Sequence, residues 1–257
     1  MTLIAWVIAF SLLGGLLSAL AAGLFLVLRP SWQQRALPNL VSLAIGALLG
    51  AAFIGLLPHA AELHAGDPHQ LGLTVLAGIL LFFALEKVLL WRHSHTGHGE
   101  DHAHCEHPAP GQATASLVLF GDAMHNLVDG LLIGAAFLVD IRLGVLTSLA
   151  VAAHEIPQEL GDLAVLLHAG LRPAQAFVLN LLTGASTVAG ALLAYFALDR
   201  AWLPYALALA AASFIYVAMA DLIPGLQKQS GLPATLRQLL LIVAGSTLIY
   251  ATHSAMH

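Results

Sequence analysis

Long apolar runs alternate with short polar connections along almost the whole chain. Dividing the runs at Gly, Pro and charged residues predicts eight helices, near 3–28, 38–60, 70–91, 115–139, 143–169, 173–198, 203–225 and 235–253. A membrane span needs about 20 apolar residues, so each run can cross a bilayer. The pattern therefore predicts an all-α, multipass membrane protein in which residues 1–257 form a single transmembrane domain.

Composition agrees with this fold class. Of the 257 residues, 59% are hydrophobic and 9% are charged, and the mean hydropathy of +0.87 lies outside the range of soluble domains. Residues 1–28 contain no charge, so they lack the basic region of a signal peptide and are interpreted as a permanent helix. The formal net charge of -5 gives no reason to expect nucleic-acid binding, and Cys105 stands alone, which excludes an intrachain disulfide.

The basic residues predict the orientation of the helices, because Lys and Arg concentrate in cytoplasmic connections. Both termini are predicted to lie outside, since this places seven of the nine basic residues near cytoplasmic ends. These seven are Arg29, Arg35, Lys87, Arg92, Arg172, Lys228 and Arg237, and only Arg142 and Arg200 then lie outside.

One connection, residues 92–113, has an unusual composition and is predicted to be a cytoplasmic loop. It carries His93, His95, His98, His102, His104 and His107 together with Glu100, Asp101 and Glu106. Such tracts bind Zn²⁺ and similar ions weakly, so the loop is a candidate for metal capture. The alternative is a polar low-complexity linker that tolerates His.

Two polar stripes interrupt the apolar pattern of the fourth and fifth predicted helices. The helical periods of three and four residues place each set on one helix face. The first set is Asp122, His125, Asn126 and Asp129, and the second is His154, Glu155, Gln158, Glu159 and Asp162. We expect the two stripes to face each other.

The charges of these stripes are all of one sign. An ionisable group at bilayer depth costs about 2.5 to 3.5 kcal/mol on insertion scales. Five carboxyl groups occur in the two stripes, and neither predicted span contains a Lys or Arg to pair with them. Either protons or a bound divalent cation must therefore neutralise them. Interhelical hydrogen bonding is the alternative, but it suits one Asn or His better than nine polar groups.

The types of side chain in the two stripes limit which metal ions can bind. Imidazole, carboxylate and amide groups without a thiolate suit Zn²⁺ and also admit Fe²⁺, Mn²⁺, Co²⁺ or Cd²⁺. His154-Glu155 also begins like the His-Glu-x-x-His helix of an intramembrane zinc metalloprotease, but Gln158 replaces the second His and Pro157 interrupts the helix. A proton-coupled carrier for another solute and a metal sensor without flux remain further alternatives.

Two smaller features add to the sequence predictions. His59, Glu62 and His64, at the outer end of the second helix, are predicted to attract cations towards the pathway, unless they form an ordinary polar helix end. Gly130, Gly134 and Gly161 are expected to let the two polar helices approach closely.

Two proline turns hint at an internal repeat. They are Leu56-Leu57-Pro58-His59 and Leu222-Ile223-Pro224-Gly225, which lie on opposite faces in the predicted topology. An inverted repeat of helices 1–3 onto helices 6–8, around helices 4–5, would place them so. Chance similarity of two proline turns is the alternative.

These motifs resemble those of the ZIP (Zrt-/Irt-like protein) family of divalent-metal transporters. The chain is similar to the subgroup whose fifth helix carries a His-Glu-x-Pro-His-Glu-x-Gly-Asp motif, which corresponds here to residues 154–162. The matching stretch of the fourth helix is His125-Asn126-Leu127-Val128-Asp129-Gly130. The resemblance implies a non-enzymatic transporter domain that imports Zn²⁺ or a related metal into the cytoplasm by alternating access. It also implies a multipass protein of the cell membrane (inner or plasma membrane), often a homodimer, whose site lies on helices one, four, five and six.

The resemblance further implies the ligands. A first metal position would involve His125, Asp129, His154 and Gln158, and an adjacent second position would involve Asn126 and Glu155. Gln158 departs from the subgroup, which usually has His there. The remaining acids, Asp122, Glu159 and Asp162, would orient the ligands.

Overall fold

The computed structural model describes residues 2–95, 110–229 and 231–255, which form helices joined by short connections and contain no strand. The eight helices are α1 (Leu3–Leu12, Leu13–Leu17 and Ser18–Leu26), α2 (Pro30–Gly50, Ala51–Leu56 and Leu57–Leu63), α3 (Pro68–His95), α4 (Pro110–Val139), α5 (Ile141–His168), α6 (Pro173–Ala197), α7 (Leu203–Tyr216, Val217–Leu222 and Ile223–Gln227) and α8 (Leu232–Ala255). The middle segments of α1, α2 and α7 are π-helical, and a 3₁₀ turn, Arg200–Trp202, precedes α7.

Seven of these described helices are long and apolar enough to cross a membrane. The prediction of an all-helical, multipass membrane protein is therefore confirmed at this level. The helix that falls outside the seven is α5, which has 28 residues but concentrates ionisable and amide side chains in its second half. The same residues that define the polar stripe thus lower its hydropathy.

Helix α2 begins eight residues earlier than predicted. Pro38 was expected to start the helix, but it lies inside the helix and Pro30 occupies the first turn. The Ser42 hydroxyl donates to the Pro38 carbonyl over 2.7 Å and the Asn39 amide donates to the Arg35 carbonyl over 3.0 Å. Side-chain hydrogen bonds to the backbone are thus present on both sides of Pro38, whose nitrogen cannot donate a hydrogen bond to the helix.

The π-helical segments of α2 and α7 occur at the two proline turns. Ala51–Leu56 ends two residues before Pro58, and Val217–Leu222 ends two residues before Pro224. A proline lacks the backbone N–H and its ring clashes with the carbonyl four residues earlier, so a wider turn there relieves the clash. The two proline turns therefore share a preceding π-helical segment as well as a similar sequence.

Small residues hold α4 tightly against α6. A Cβ atom on Gly130 would lie 1.9 Å from the Thr187 carbonyl oxygen, and one on Gly190 would lie 2.0 Å from the Leu127 carbonyl oxygen. Gly134 meets Ala191 in the same way. The expectation that these glycines bring α4 and α5 together is therefore wrong, and Gly161 of α5 faces open space.

A one-residue connection turns α4 into α5. Asp140 separates the helices, and its carboxylate accepts hydrogen bonds from the backbone N–H groups of Arg142, over 2.7 Å, and Leu143. An acceptor at this position satisfies the free amides of a helix start. Close to the turn, the ring of Phe137 packs on Gly144. The two polar stripes consequently lie on antiparallel neighbours.

Candidate metal centre

Four ligand atoms from α4 and α5 surround a common point. The Nε2 atoms of His125 and His154 are 3.4 Å apart, and they lie 3.4 and 3.5 Å from Oε1 of Glu155. Oδ2 of Asp129 lies 3.1 Å from His154 Nε2 and 3.8 Å from His125 Nε2. Zinc bonded to N and O ligands at 2.0 to 2.2 Å in a tetrahedron separates those ligands by about 3.3 to 3.5 Å. These five separations are thus close to those of a tetrahedral zinc site, and all four atoms lie within 4.8 Å of one another.

The two carboxylates of this centre are buried without hydrogen-bond donors from the described residues. Asp129, His154 and Glu155 are each 1% exposed. Within the described residues, both carboxylate oxygens of Asp129 and of Glu155 have no hydrogen-bond partner. Their ion pairs are with His125 and His154, and no described Lys or Arg joins them. A buried carboxylate without a donor is costly, so the centre fits a bound cation.

The ring of His154 is held in the orientation that a metal ligand needs. Its Nδ1 donates to the Ala150 carbonyl over 3.1 Å, because a carbonyl can only accept. In the neutral ring this places the lone pair on Nε2, the atom directed at Asp129 and Glu155. The ring of Phe214, from α7, packs edge-on at 6.1 Å between centroids.

A second acidic group adjoins the first. This second group consists of one carboxylate oxygen from each of Asp122, Glu155 and Glu159, which lie within 4.8 Å of one another. Glu155 therefore belongs both to this group and to the group with the two histidines. Asn126, predicted as a ligand, uses its amide N–H₂ to donate to the Asp122 carboxylate over 2.8 Å. Its amide oxygen accepts from the Thr187 hydroxyl over 2.7 Å. Its role as a metal ligand stays a prediction.

Helix α6 supplies neutral donors to these acids. Thr183 donates to the Asp122 carboxylate, and the Asn180 amide donates to Glu159. With Thr187 they form a polar stripe at spacings of three and four residues, all on the face packed against α4 and α5. Thr187 had no place in the sequence predictions, and this spacing within an apolar helix was the signal available for it.

Two predicted residues lie further along α5. Gln158 is half-buried and lines a cavity of about 470 Å³ with Pro157 and, from α7, Asp221. Asp162 is also half-buried. Within the described residues, Asp162 belongs to neither of the two groups of clustered His, Asp and Glu side chains, and Gln158 carries an amide instead of one of these groups. Their roles as ligand and orienting group stay predictions, as does that of Glu159.

The outer residues of α2 do not form one group. The His59 Nδ1 donates to the Gly55 carbonyl over 2.8 Å, Glu62 is exposed, and the His64 ring packs edge-on against Tyr205. His69 nearby donates through its backbone and ring to the Asp67 carboxylate, which holds the pKa of Asp67 below its usual range. A role of His59, Glu62 and His64 in attracting cations stays a prediction.

The His-rich loop lies outside the described residues for the most part. His98, His102, His104 and His107 fall in 96–109, and His93 and His95 lie in the last turn of α3. Metal capture by these six residues stays a prediction.

Comparison with known proteins decides the family. A family model described as ZIP Zinc transporter matches residues 2–114 and 91–252. The chain belongs to the ZIP zinc transporter family. Zinc transporter ZIP4 of Homo sapiens is 34% identical over 75% of this chain, and zinc transporter ZIP13 of Pongo abelii is 36% identical over 81%. Zinc transporter ZIP10 of Homo sapiens is 41% identical over 52% of the chain.

The ZIP relatives are longer than this chain. The aligned regions span 39% of the human ZIP4 sequence, 64% of the Pongo abelii ZIP13 sequence and 17% of the human ZIP10 sequence. The resemblance drawn from residues 125–130 and 154–162 is nevertheless confirmed at the level of the ZIP family.

Proposed function

We propose that this chain imports Zn²⁺, or a related divalent metal, into the cytoplasm. The observation that carries this proposal is the close approach of ligand atoms from His125, Asp129, His154 and Glu155, all within 4.8 Å of one another in a buried, donor-poor centre. Two imidazoles and two carboxylates can replace the water around the ion, and the negative charge offsets the cost of dehydrating a dication.

Transport requires that the ion also leaves. The cavity lined by Gln158 lies one helical turn beyond His154 on α5 and is bounded by α2 and α7. An amide is a weaker ligand than a carboxylate, so Gln158 is suited to receive the ion and release it. We propose that alternating access exposes the centre first to the outside and then to this cavity.

The membrane arrangement that we propose has eight spans, with α5 included. Helix α5 has 28 residues, or about 42 Å at 1.5 Å per residue, which exceeds the bilayer core. The basic residues favour both termini outside, and the paired proline turns of α2 and α7 support an inverted repeat. We place the protein as one transmembrane domain in the cell membrane, in contact with lipid and as a homodimer.

The proposal treats the chain as a transporter and not as an enzyme. A zinc protease helix needs His at both ends of the His-Glu-x-x-His motif, and Gln158 stands at the second position. Glu155, the residue at the position of the catalytic base, lies among the four clustered ligand atoms. No water-activating residue is thereby left free in this motif.

Flux measurements on purified protein test the proposal. Liposomes that contain the chain and a Zn²⁺-sensitive dye should show a Zn²⁺-dependent signal. His154→Ala and Asp129→Asn should abolish that signal without preventing insertion, because each removes a ligand. His168→Ala is the matched control, since His168 lies exposed on the same helix and its ring donates to Ala164. Unchanged flux in both ligand variants would refute the centre, and a signal-free native chain would favour a sensor.

A further inference from the structure

Two histidine rings from different helices meet at one end of the described structure. His59, near the end of α2, and His253, near the end of α8, have ring centroids 5.7 Å apart and an angle of 87° between the ring planes. Both side chains are half-buried. Neither helix contributes a ligand atom to the centre between α4 and α5, so the pair is a separate feature.

The packing of α2 on α8 fixes this pair. A Cβ atom on Gly46 would lie 2.0 Å from the Ile242 carbonyl oxygen, and one on Gly50 would lie 3.1 Å from the Cα of Ser246. The Ser246 hydroxyl donates to the Gly46 carbonyl over 2.9 Å. The partners advance together along both helices, so α2 and α8 run parallel and bring their last turns side by side.

The pair has the same ring geometry as the imidazoles of the central site. There the His125 and His154 centroids are 5.6 Å apart, with 88° between planes and 3.4 Å between Nε2 atoms. The Nδ1 of His59 donates to the Gly55 carbonyl over 2.8 Å, which leaves the lone pair of the neutral ring on Nε2. His59 is thus oriented by the same device that orients His154.

We propose that His59 and His253 bind a divalent transition metal, Zn²⁺ in particular, at a second site remote from the central one. The proposal rests on the proposed function for the identity of the ion, but it adds a ligand that the sequence predictions did not include. Two imidazoles leave the other coordination positions of Zn²⁺ to water or to Glu62, three residues after His59 on α2. Such a partly hydrated ion binds weakly and exchanges readily.

The function of this site follows from its place. In the proposed orientation the last turns of α2 and α8 face the outside. A weak site there raises the local concentration of metal near the transporter, as a charged or ligating vestibule does for a channel. It therefore provides a capture point that precedes the buried centre.

Equilibrium dialysis with radioactive Zn²⁺ tests this site without measuring transport. The protein is the full chain with His93, His95, His98, His102, His104 and His107 replaced by Asn, so that the loop contributes no imidazole. His59→Phe and His253→Phe each keep an aromatic ring at the packing contact but remove its nitrogen. Each should lower the bound zinc by one ion per chain, and the double variant should lose no more than either single variant.

Two comparisons make the result decisive. His69→Asn is the control, because His69 lies in the first turn of α3, soon after α2 in the chain, and its ring bonds to Asp67. Repeating the set with His154→Ala added should show the same loss of one ion, which separates this site from the central one. Zinc binding that is unchanged in His59→Phe would reduce the pair to ring packing and overturn the proposal, as would losses that add in the double variant.

Discussion

At the scale of single residues, burial decides which side chains can act. Asp122, Asp129, Glu155 and Glu159 are all at most 5% exposed, but they do not share one environment. Asp122 and Glu159 receive hydrogen bonds from α6, whereas Asp129 and Glu155 receive none within the described residues. The acids that lack donors are those that face both histidines. The neutral donors of α6 therefore separate the acids that receive hydrogen bonds from the two that receive none within the described residues.

Thr183→Val should lower the thermal stability of the protein. The substitution keeps the shape of the side chain but removes the hydroxyl that donates to buried Asp122. A buried acceptor that loses its donor costs about 1 to 3 kcal/mol. The melting temperature in detergent should therefore fall, and apparent zinc affinity should change because Asp122 adjoins Glu155.

Thr247→Val is the matched control for this prediction. Thr247 is exposed on α8, and its hydroxyl bonds the Val243 carbonyl of its own helix over 2.7 Å. Its removal should leave both measurements nearly unchanged. Equal melting temperatures for the Thr183 and Thr247 variants would show that the bond to Asp122 contributes nothing.

At the scale of helices, the sequence predicted the elements better than their contacts. Hydropathy located the seven described helices that are long and apolar enough to span, because burial in lipid imposes long apolar runs. The eighth helix, α5, was also predicted, and whether it spans stays a prediction. It missed the start of α2, since Pro38 has the same local signature inside a helix as at its first turn. It also missed the partner of Gly130, because a small residue shows where a helix approaches closely but not which neighbour approaches.

The candidate centre could be outlined from sequence for the same reason. Residues three and four apart share a helix face, which grouped His125 with Asp129 and Glu155 with Glu159. The rotation of α5 about its axis is set by packing and cannot be obtained from spacing. This rotation is what turns Gln158 towards a cavity shared with α2 and α7. The amide pairing of Asn126 likewise depends on Thr187, which only the folded chain brings near.

Alanine substitutions at two glycines should have opposite effects. Gly130→Ala places a methyl group 1.9 Å from the Thr187 carbonyl, so α4 and α6 must separate. Overpacking of this kind costs about 1 to 3 kcal/mol and displaces the neighbouring Asp129. Gly161→Ala meets no atom within 4 Å and should stabilise α5 by about 0.5 to 1 kcal/mol through helix propensity.

Melting temperatures and zinc flux check this pair. Gly130→Ala should lower both, whereas Gly161→Ala should raise the melting temperature slightly and keep the flux. A stable and active Gly130→Ala protein would mean that the contact between α4 and α6 does not position the centre.

At the scale of the whole molecule, the helices fall into two groups with different contacts. Helices α4 and α5 carry the four clustered atoms of the candidate metal centre, and α6 packs on α4 at Gly130 and Gly134. Helices α2 and α8 form a separate parallel pair, clamped through Gly46 and Ser246. A cavity between α2, α5 and α7 lies where the two groups meet. Movement of one group against the other would change access to this cavity without altering the ligands.

The orientation of the molecule determines which side of the membrane the pair of His59 and His253 faces, and the single cysteine allows a direct test. Cys105 lies in the predicted cytoplasmic loop, so a thiol reagent that cannot cross membranes should not label it in intact cells, whereas a permeant reagent should. With Cys105→Ser as background, Ala65→Cys between α2 and α3 should be labelled from outside. Gln229→Cys between α7 and α8 should be protected. Labelling of Gln229→Cys but not of Ala65→Cys would invert the topology and place the His59 and His253 pair on the cytoplasmic side, where it could not capture metal from outside.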